Sequence, residues 1–230
     1  LKEIEIQEKG RLVNLNDKID FLKTLINNLE GVSKGSKILL ENKNLTEKGI
    51  TLLADTGTAG EEFRFALEAA LRNVLNNLLV EGLDDLKKAI NFLKKNDLGK
   101  ASFFIASPAA EKKNLLNKVF DFKTRQIRKK IEKEPSFAGW AQNYIETDDK
   151  WRHYFEKALS GTAIVKDINS AIELSRKYKE WNFSTLEGDL VQTNGIIEAG
   201  SIPKLDETLL GRKQMLEQLI ADYPKLEAGL

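Results

Sequence analysis

Cysteine is absent from this 230-residue chain, which removes both a disulfide framework and a thiolate metal site from consideration. A single histidine, His153, would leave any zinc site to be built mostly from carboxylates, and no convincing cluster of them stands in the sequence. No run approaches the roughly 20 consecutive apolar residues of a membrane span, and the N-terminus lacks the basic-then-apolar-then-small pattern of a secretory leader. The Gly-x-x-x-x-Gly-Lys-Ser/Thr phosphate loop is missing, which excludes nucleotide hydrolysis by that device. Net charge is nearly missing too: 36 basic residues face 35 acidic ones, so attraction to nucleic acid has to come from local clustering. The expectation is a cytoplasmic, non-catalytic protein with no cofactor, no metal, no small-molecule substrate and no membrane contact. The chain opens at Leu1 without an initiating methionine, as a piece of something longer would.

What is present begins with a seam. Leu12, Leu15, Ile19, Leu22, Ile26 and Leu29 recur at 3-4-3-4-3 spacing, which places all six on one stripe of a helix that ends at Gly31. The last segment repeats the device with Leu205, Leu209, Arg212, Leu216, Leu219 and Tyr223, after which Pro224 is expected to end it. A lone helix of about five turns is marginal in water, so each seam needs a partner. The simplest arrangement pairs the two in antiparallel fashion, with a globular domain inserted at the tip.

Between the seams lies an internal repeat. Phe63-Arg64-Phe65-Ala66-Leu67-Glu68-Ala69-Ala70-Leu71 aligns without gaps on Trp151-Arg152-His153-Tyr154-Phe155-Glu156-Lys157-Ala158-Leu159. Leu79 to Leu86 then aligns on Ile164 to Ala171. Each half reads as helix, short apolar strand, Asp- or Asn-capped helix and strand, the last at Ala101–Ile105 or around Trp181 to Leu186. This is an α+β class with two repeated sheet-plus-helix subdomains flanked by an antiparallel pair of coiled-coil helices. The boundaries are 1–30 for the first coiled-coil segment, 31–110 for the first subdomain, 111–135 for a connecting segment, 136–202 for the second subdomain and 203–230 for the second coiled-coil segment.

Two features outrank the rest as sites. Gly188, Gly195 and Gly200 surround a short apolar pair, Ile196-Ile197: they are either turn residues or bare positions that let a partner's backbone approach a sheet edge. From Lys112 to Lys133, nine basic residues face two acidic ones, a local charge of +7 in 22 residues. Lys112, Lys113, Lys123, Arg125, Arg128, Lys129, Lys130 and Lys133 either form a solvated helix face or hold phosphates without base readout. Val119, Phe120 and Phe122 are expected to anchor that segment to the core. His153 reads as a helix packing residue, and Asp148-Asp149 as the cap of the helix that Trp151 opens.

The segments Ala66-Leu67-Glu68-Ala69-Ala70-Leu71, Ala89-Ile90-Asn91-Phe92-Leu93-Lys94-Lys95-Asn96 and Leu98-Gly99-Lys100-Ala101-Ser102-Phe103 closely resemble the first half of SMC (structural maintenance of chromosomes) hinges. Gly139-Trp140-Ala141 resembles the opening of the second half, Gly188-Asp189-Leu190 through Gly200-Ser201 its closing glycine signature, and Leu210-Gly211-Arg212 the start of the returning coiled coil. The chain departs from the family where paired glycines are usual: Asn194 precedes Gly195, Ala199 precedes Gly200, and only Gly49 remains ahead of Thr51. The resemblance implies a nucleoid-associated dimerisation module of a chromosome condensation and segregation ATPase whose heads lie elsewhere. It also implies self-association through Gly188, Gly195, Ile196, Ile197 and Gly200, and sequence-independent DNA contact. Two other readings stay open: a small-molecule-binding or catalytic α/β domain, and a coiled-coil scaffold whose basic segment meets an acidic protein.

Overall fold

In chain order the computed structural model has α1 (Lys2–Asn28), α2 (Lys34–Glu41), β1 (Thr51–Leu52), β2 (Gly57–Ala59), α3 (Glu61–Leu71), β3 (Leu78–Leu79), α4 (Leu83–Lys95), β4 (Phe103–Phe104) and α5 (Leu115–Ile131). These are followed by β5 (Phe137–Trp140), β6 (Ile145–Thr147), α6 (Asp149–Ala158), β7 (Thr162–Val165), α7 (Ile168–Lys177), β8 (Asn182–Thr185), β9 (Leu190–Val191), β10 (Ile197–Glu198) and α8 (Arg212–Glu227). The structure describes residues 2–29, 31–42, 44–46, 49–105, 115–202 and 208–227. The chain packs as two compact units, one of Leu1–Asp55, Asn76–Ser102 and Gly211–Leu230, the other of Thr56–Leu75 and Phe103–Leu210.

In the first unit, α1 and α8 lie along each other. Ile19 and Leu22 are buried, and Leu12, Leu15, Ile26 and Leu29 partly so, as the seam predicts. α1 stops where Leu29 and Gly31 turn to positive φ, and the Lys37 ammonium donates to the freed Asn28 carbonyl at 2.7 Å. The start of α8 lies against a 3-10 turn, Leu53–Asp55. One helix thus enters the unit and the other leaves it, which makes the pair antiparallel. Two expectations about the second seam need correction. Its helix begins at Arg212, so Leu209 precedes it, and Leu205 lies outside the described residues. Pro224 sits inside the helix, which runs on to Glu227 at the loss of one backbone bond.

β1 and β3 pair antiparallel, and the Leu78 amide donates to the Ser102 carbonyl just ahead of β4. α4 is opened by Gly82 without a side-chain cap, contrary to the expected acidic cap; Asp84 and Asp85 stand in its first turn, paired with Lys87 and Lys88. In the second unit the equivalent helix α7 is capped as expected: Asp167 accepts the Ser170 amide at 2.9 Å and its hydroxyl at 3.0 Å. Those bonds, the amide's first, hold the Asp167 carboxyl below its ordinary range. Asp148 occupies the cap position of α6 but makes no capping bond, and Asp149 in the first turn pairs with Arg152 at 3.3 Å. The acidic pair therefore sits where the helix dipole favours it without closing the cap.

The second unit is built on a five-stranded sheet in the order β10-β9-β8-β7-β5, with β7 and β8 parallel and the other neighbours antiparallel. Strand alternation sends Ala163, Val165, Phe183 and Val191 into a core with Ala171 and Leu174 of α7 and Ile127 and Ile131 of α5. The residues between them in sequence face the other way, and α3 packs on β8 and β9. α3 belongs to the first repeat and β8 to the second, so the halves are interleaved. The repeat is longer than the helices alone reveal. At the same 88-residue offset, the turn Leu53–Asp55 matches a second 3-10 turn Ala141–Asn143, and β2 matches β6. β2 and β6 pair with each other, Gly57 with Thr147, Thr58 with Glu146 and Ala59 with Ile145, as equivalent strands meeting about a local two-fold would. Arg64 donates to the Ala59 carbonyl and Arg152 to the Thr147 carbonyl, the same bond made once in each half.

Candidate functional site

The glycine-bearing hairpin is shaped by short-range bonds. The Gly195 amide donates to the Gln192 carbonyl at 3.0 Å, and the Gln192 amide to the Ile196 carbonyl at 2.9 Å. Asn194 Oδ1 accepts the Ile196 amide at 3.0 Å. Gly195 has φ +86° and Gly188 φ +95°, conformations that glycine takes without cost. Behind the hairpin, Asp189 is buried. Its carboxylate accepts the Thr185 hydroxyl at 2.8 Å and the Gly200 amide at 3.2 Å, which ties the end of the hairpin to the sheet. Arg72 pairs with Glu198 at 2.7 Å and Gln192 donates to the same carboxylate, so the polar side of β10 is fixed from α3's end.

The other side of β10 is bare. Among the described residues it pairs only with β9, and Ile196, Ile197 and Ile202 are 51%, 50% and 56% exposed. Residues 190–201 contain no lysine and no proline, the usual guards of an open edge. Gly200 carries a separate signal. It needs no positive φ, and a Cβ there would meet nothing within 4 Å among the described residues. Among the described residues nothing requires glycine at that position.

Helix α5 is the second candidate. Lys123, Arg125, Lys129 and Lys130 project into solvent, as does Lys133 just beyond the helix. Arg128 is half-buried, its guanidinium stacked 4.2 Å from the Trp140 ring, while the Trp140 indole donates to Glu132 at 2.8 Å. Lys112 and Lys113 lie outside the described residues. Phe122, expected in the core, is 61% exposed and borders a shallow groove of about 390 Å³ with Arg125, Gln126, Arg128, Lys129 and Glu132. Ile127 and Ile131 anchor the helix, and Phe122 falls on the opposite side of the turn; the side chains of Val119 and Phe120 lie outside the described residues.

Tertiary structure adds cations that the sequence reading did not include. Lys177 and Lys179 line a second groove with Lys130, Ile127 and Trp181, although nearly 50 residues separate them from α5. Glu134 accepts from both the Lys177 ammonium and the Tyr178 hydroxyl; those bonds, that of Lys177 first, lower its pKa. His153 packs on the Tyr154 ring within α6. Among the described residues no group of His, Asp or Glu side chains is arranged to hold a metal ion. No helix among them is long and apolar enough to cross a membrane.

Comparisons with known proteins agree on one family. Residues 47–175 match the family model for the flexible hinge domain of SMC proteins. The chromosome partition protein Smc of Desulfitobacterium hafniense is 31% identical over 222 residues, and that of Halothermothrix orenii 28% over 217, each match covering 94% of this chain. The matches take in only 18% and 17% of those proteins, so the chain spans less than a fifth of their length. In fold, it is similar to the SMC hinge domain of Geobacillus stearothermophilus, described as an asymmetric dimer, with a TM-score of 0.73 and 22% identity over 99% of this chain and 88% of that one. It is also similar to the Pyrococcus furiosus Smc hinge domain with an extended coiled coil, with a TM-score of 0.56 and 23% identity over 99% of this chain and 78% of that one. With a duplicated α+β body between two antiparallel helices and a family match over more than half its length, the chain belongs to the SMC flexible hinge domains.

Proposed function

We propose that this chain is the dimerisation joint of a chromosome-partition SMC protein, a non-catalytic module that ties two coiled-coil arms together and touches DNA without sequence preference. The carrying observation is the edge strand β10, paired on one side only among the described residues, with Ile196 and Ile197 half exposed beside its open edge. An isolated protein with such an edge invites strand addition, and a second copy is the occupant that the family supplies. In this reading β10 of one copy adds to the first half of its mate. Two such contacts about a two-fold close a ring, from which the α1–α8 pairs of both copies emerge as arms. Gly195, Gly200 and Gly188 shape the joint, and Gly200 stays bare because the partner's backbone passes over it.

DNA contact is assigned to the exposed face of α5, where Lys123, Arg125, Lys129 and Lys130 form a local positive field on a nearly neutral chain. Backbone phosphates are its natural ligands, since the helix offers charge without a set of base-reading amides. The ATPase heads of the parent protein are outside this chain, and its work is mechanical: setting the angle between the arms and holding them together.

Light scattering over a range of concentrations tests the joint. The chain is expected to have the mass of two copies, and Gly200→Val the mass of one with the circular dichroism of the folded parent, because a side chain there meets open space among the described residues of its own fold. A monomeric parent chain at every concentration would sink the proposal.

A further inference from the structure

Glu68 is an unusual place for a carboxylate. It lies on α3 between residues with almost no exposure, Ala66, Leu67 and Ala69, and is itself 9% exposed. Burying a charge there is costly unless strong donors meet it. They do: the Leu209 amide donates to one carboxylate oxygen at 3.0 Å and the Leu210 amide to the other at 2.9 Å. Leu210 is fully buried and Thr208 nearly so, which seats Thr208–Leu210 in the second unit. The next residue, Gly211, takes φ +75°, and α8 begins at Arg212 as part of the first unit. Glu68 therefore grips the last residues of the body before the chain becomes the outgoing coiled-coil helix.

The internal repeat provides a control within the molecule. Glu156 stands at the equivalent position of α6 and is exposed to solvent. The same residue type on the same helix of each half is a surface carboxylate in one and a buried clamp in the other. Helix amphipathicity cannot explain the buried copy, because an apolar residue would serve packing better at that position. The two oriented amide bonds can, since a carboxylate offers a separate charged oxygen to each backbone donor, where a glutamine has only one oxygen to share between them.

We propose that Glu68 is the positioning residue that fixes where the returning chain leaves the second unit, by pinning Leu209 and Leu210 to α3. The mechanical role rests on the joint reading above; the clamp itself does not. With the carboxylate in place, Thr208–Leu210 is pinned within the second unit right up to the left-handed Gly211. Without it, the exit segment becomes a loose tether.

The test uses Glu68→Gln and Glu68→Ala, with Glu156→Gln as the control, read by amide hydrogen exchange and solution mass. Losing a buried acceptor exposes the amides of Leu209 and Leu210 and the first turn of α8, whose exchange should accelerate by about ten- to a hundredfold. Amides of β7 and β8 should stay within a few-fold of the parent, and Glu156→Gln should change nothing. Unchanged exchange at Leu209 and Leu210, or a uniform acceleration throughout the core, would overturn the clamp. If Glu68→Ala does not fold, Glu68→Gln decides alone. A monomeric parent chain would end the joint reading yet leave the exchange result standing, so the two failures are distinguishable.

Discussion

Truncating Ile196 and Ile197 together to alanine puts a number on the joint. Each side chain is about half exposed in the isolated chain, so a partner has roughly half of each left to cover. Complete burial of an isoleucine is worth about 1.5–3 kcal/mol, which gives each of these residues about 0.7–1.5 kcal/mol in the contact. A two-fold dimer uses the pair twice, so the double variant forfeits about 3–6 kcal/mol, or roughly two to four decades in dissociation constant. Fold stability should barely move, because neither side chain belongs to the buried core. The assay is sedimentation or light scattering from low nanomolar to high micromolar concentration, beside a thermal melt under the same conditions. The outcome consistent with the joint is a midpoint for dissociation displaced upward by at least a hundredfold, with the monomer's melting temperature preserved. A midpoint that does not move would refute the assignment of this edge, even if the chain remains a dimer by another surface.

Charge reversal at Lys123, Arg125 and Lys129 should abolish retardation of DNA in a gel while leaving the dimer mass intact. These three are preferred to Arg128, whose stacking on Trp140 makes it part of the fold. Removing one of them at a time should reduce the slope of log affinity against log salt by about 0.9 for duplex DNA per lost phosphate contact. Gly139→Ala is expected to destabilise the chain by about 1–3 kcal/mol in urea denaturation, since the added methyl would overlap the Tyr144 ring, which stacks on Phe63 and donates to the Ala138 carbonyl. Burial, partly offset by Lys213 and then Arg212, raises the Asp55 carboxyl above 3.8. A raised folded-state pKa means that the native chain holds this proton more tightly than the unfolded one. Its stabilising effect is full below 3.8 and is lost as pH climbs through the folded value. The melting temperature of the parent chain, taken relative to Asp55→Asn, should therefore decline across that window as pH rises; a flat difference would contradict it. Glu134, Asp167 and Asp222, all lowered, act in the opposite sense and cancel in that comparison.

Local pattern determined a good deal of this protein without help from the structure. Ile19 and Leu22 are buried because a 3-4 spacing admits only one face to a partner. α3 and α6 are equivalent because their residues recur in place, Asp167 caps α7 because its carboxylate is two or three residues from the donors it must reach, and the glycine-bearing hairpin turns where positive φ is needed. Each of these depends on neighbours a few positions away, which is the range over which sequence is legible. Tertiary structure alone decided the rest. Pro224 continues a helix that its residue type would end, Phe122 is exposed because Ile127 and Ile131 claim the core, and Lys177 joins Lys130 only through the sheet beneath them. β2 pairs with its own repeat, β6, because two equivalent strands can satisfy each other's backbone bonds. Glu68 and Glu156 read alike in the sequence, and only the return of the chain at Leu209 and Leu210, 141 and 142 residues beyond Glu68, makes one of them a clamp. Such contacts depend on which distant segment arrives, and that is settled by the packing of the whole rather than by any window along the chain.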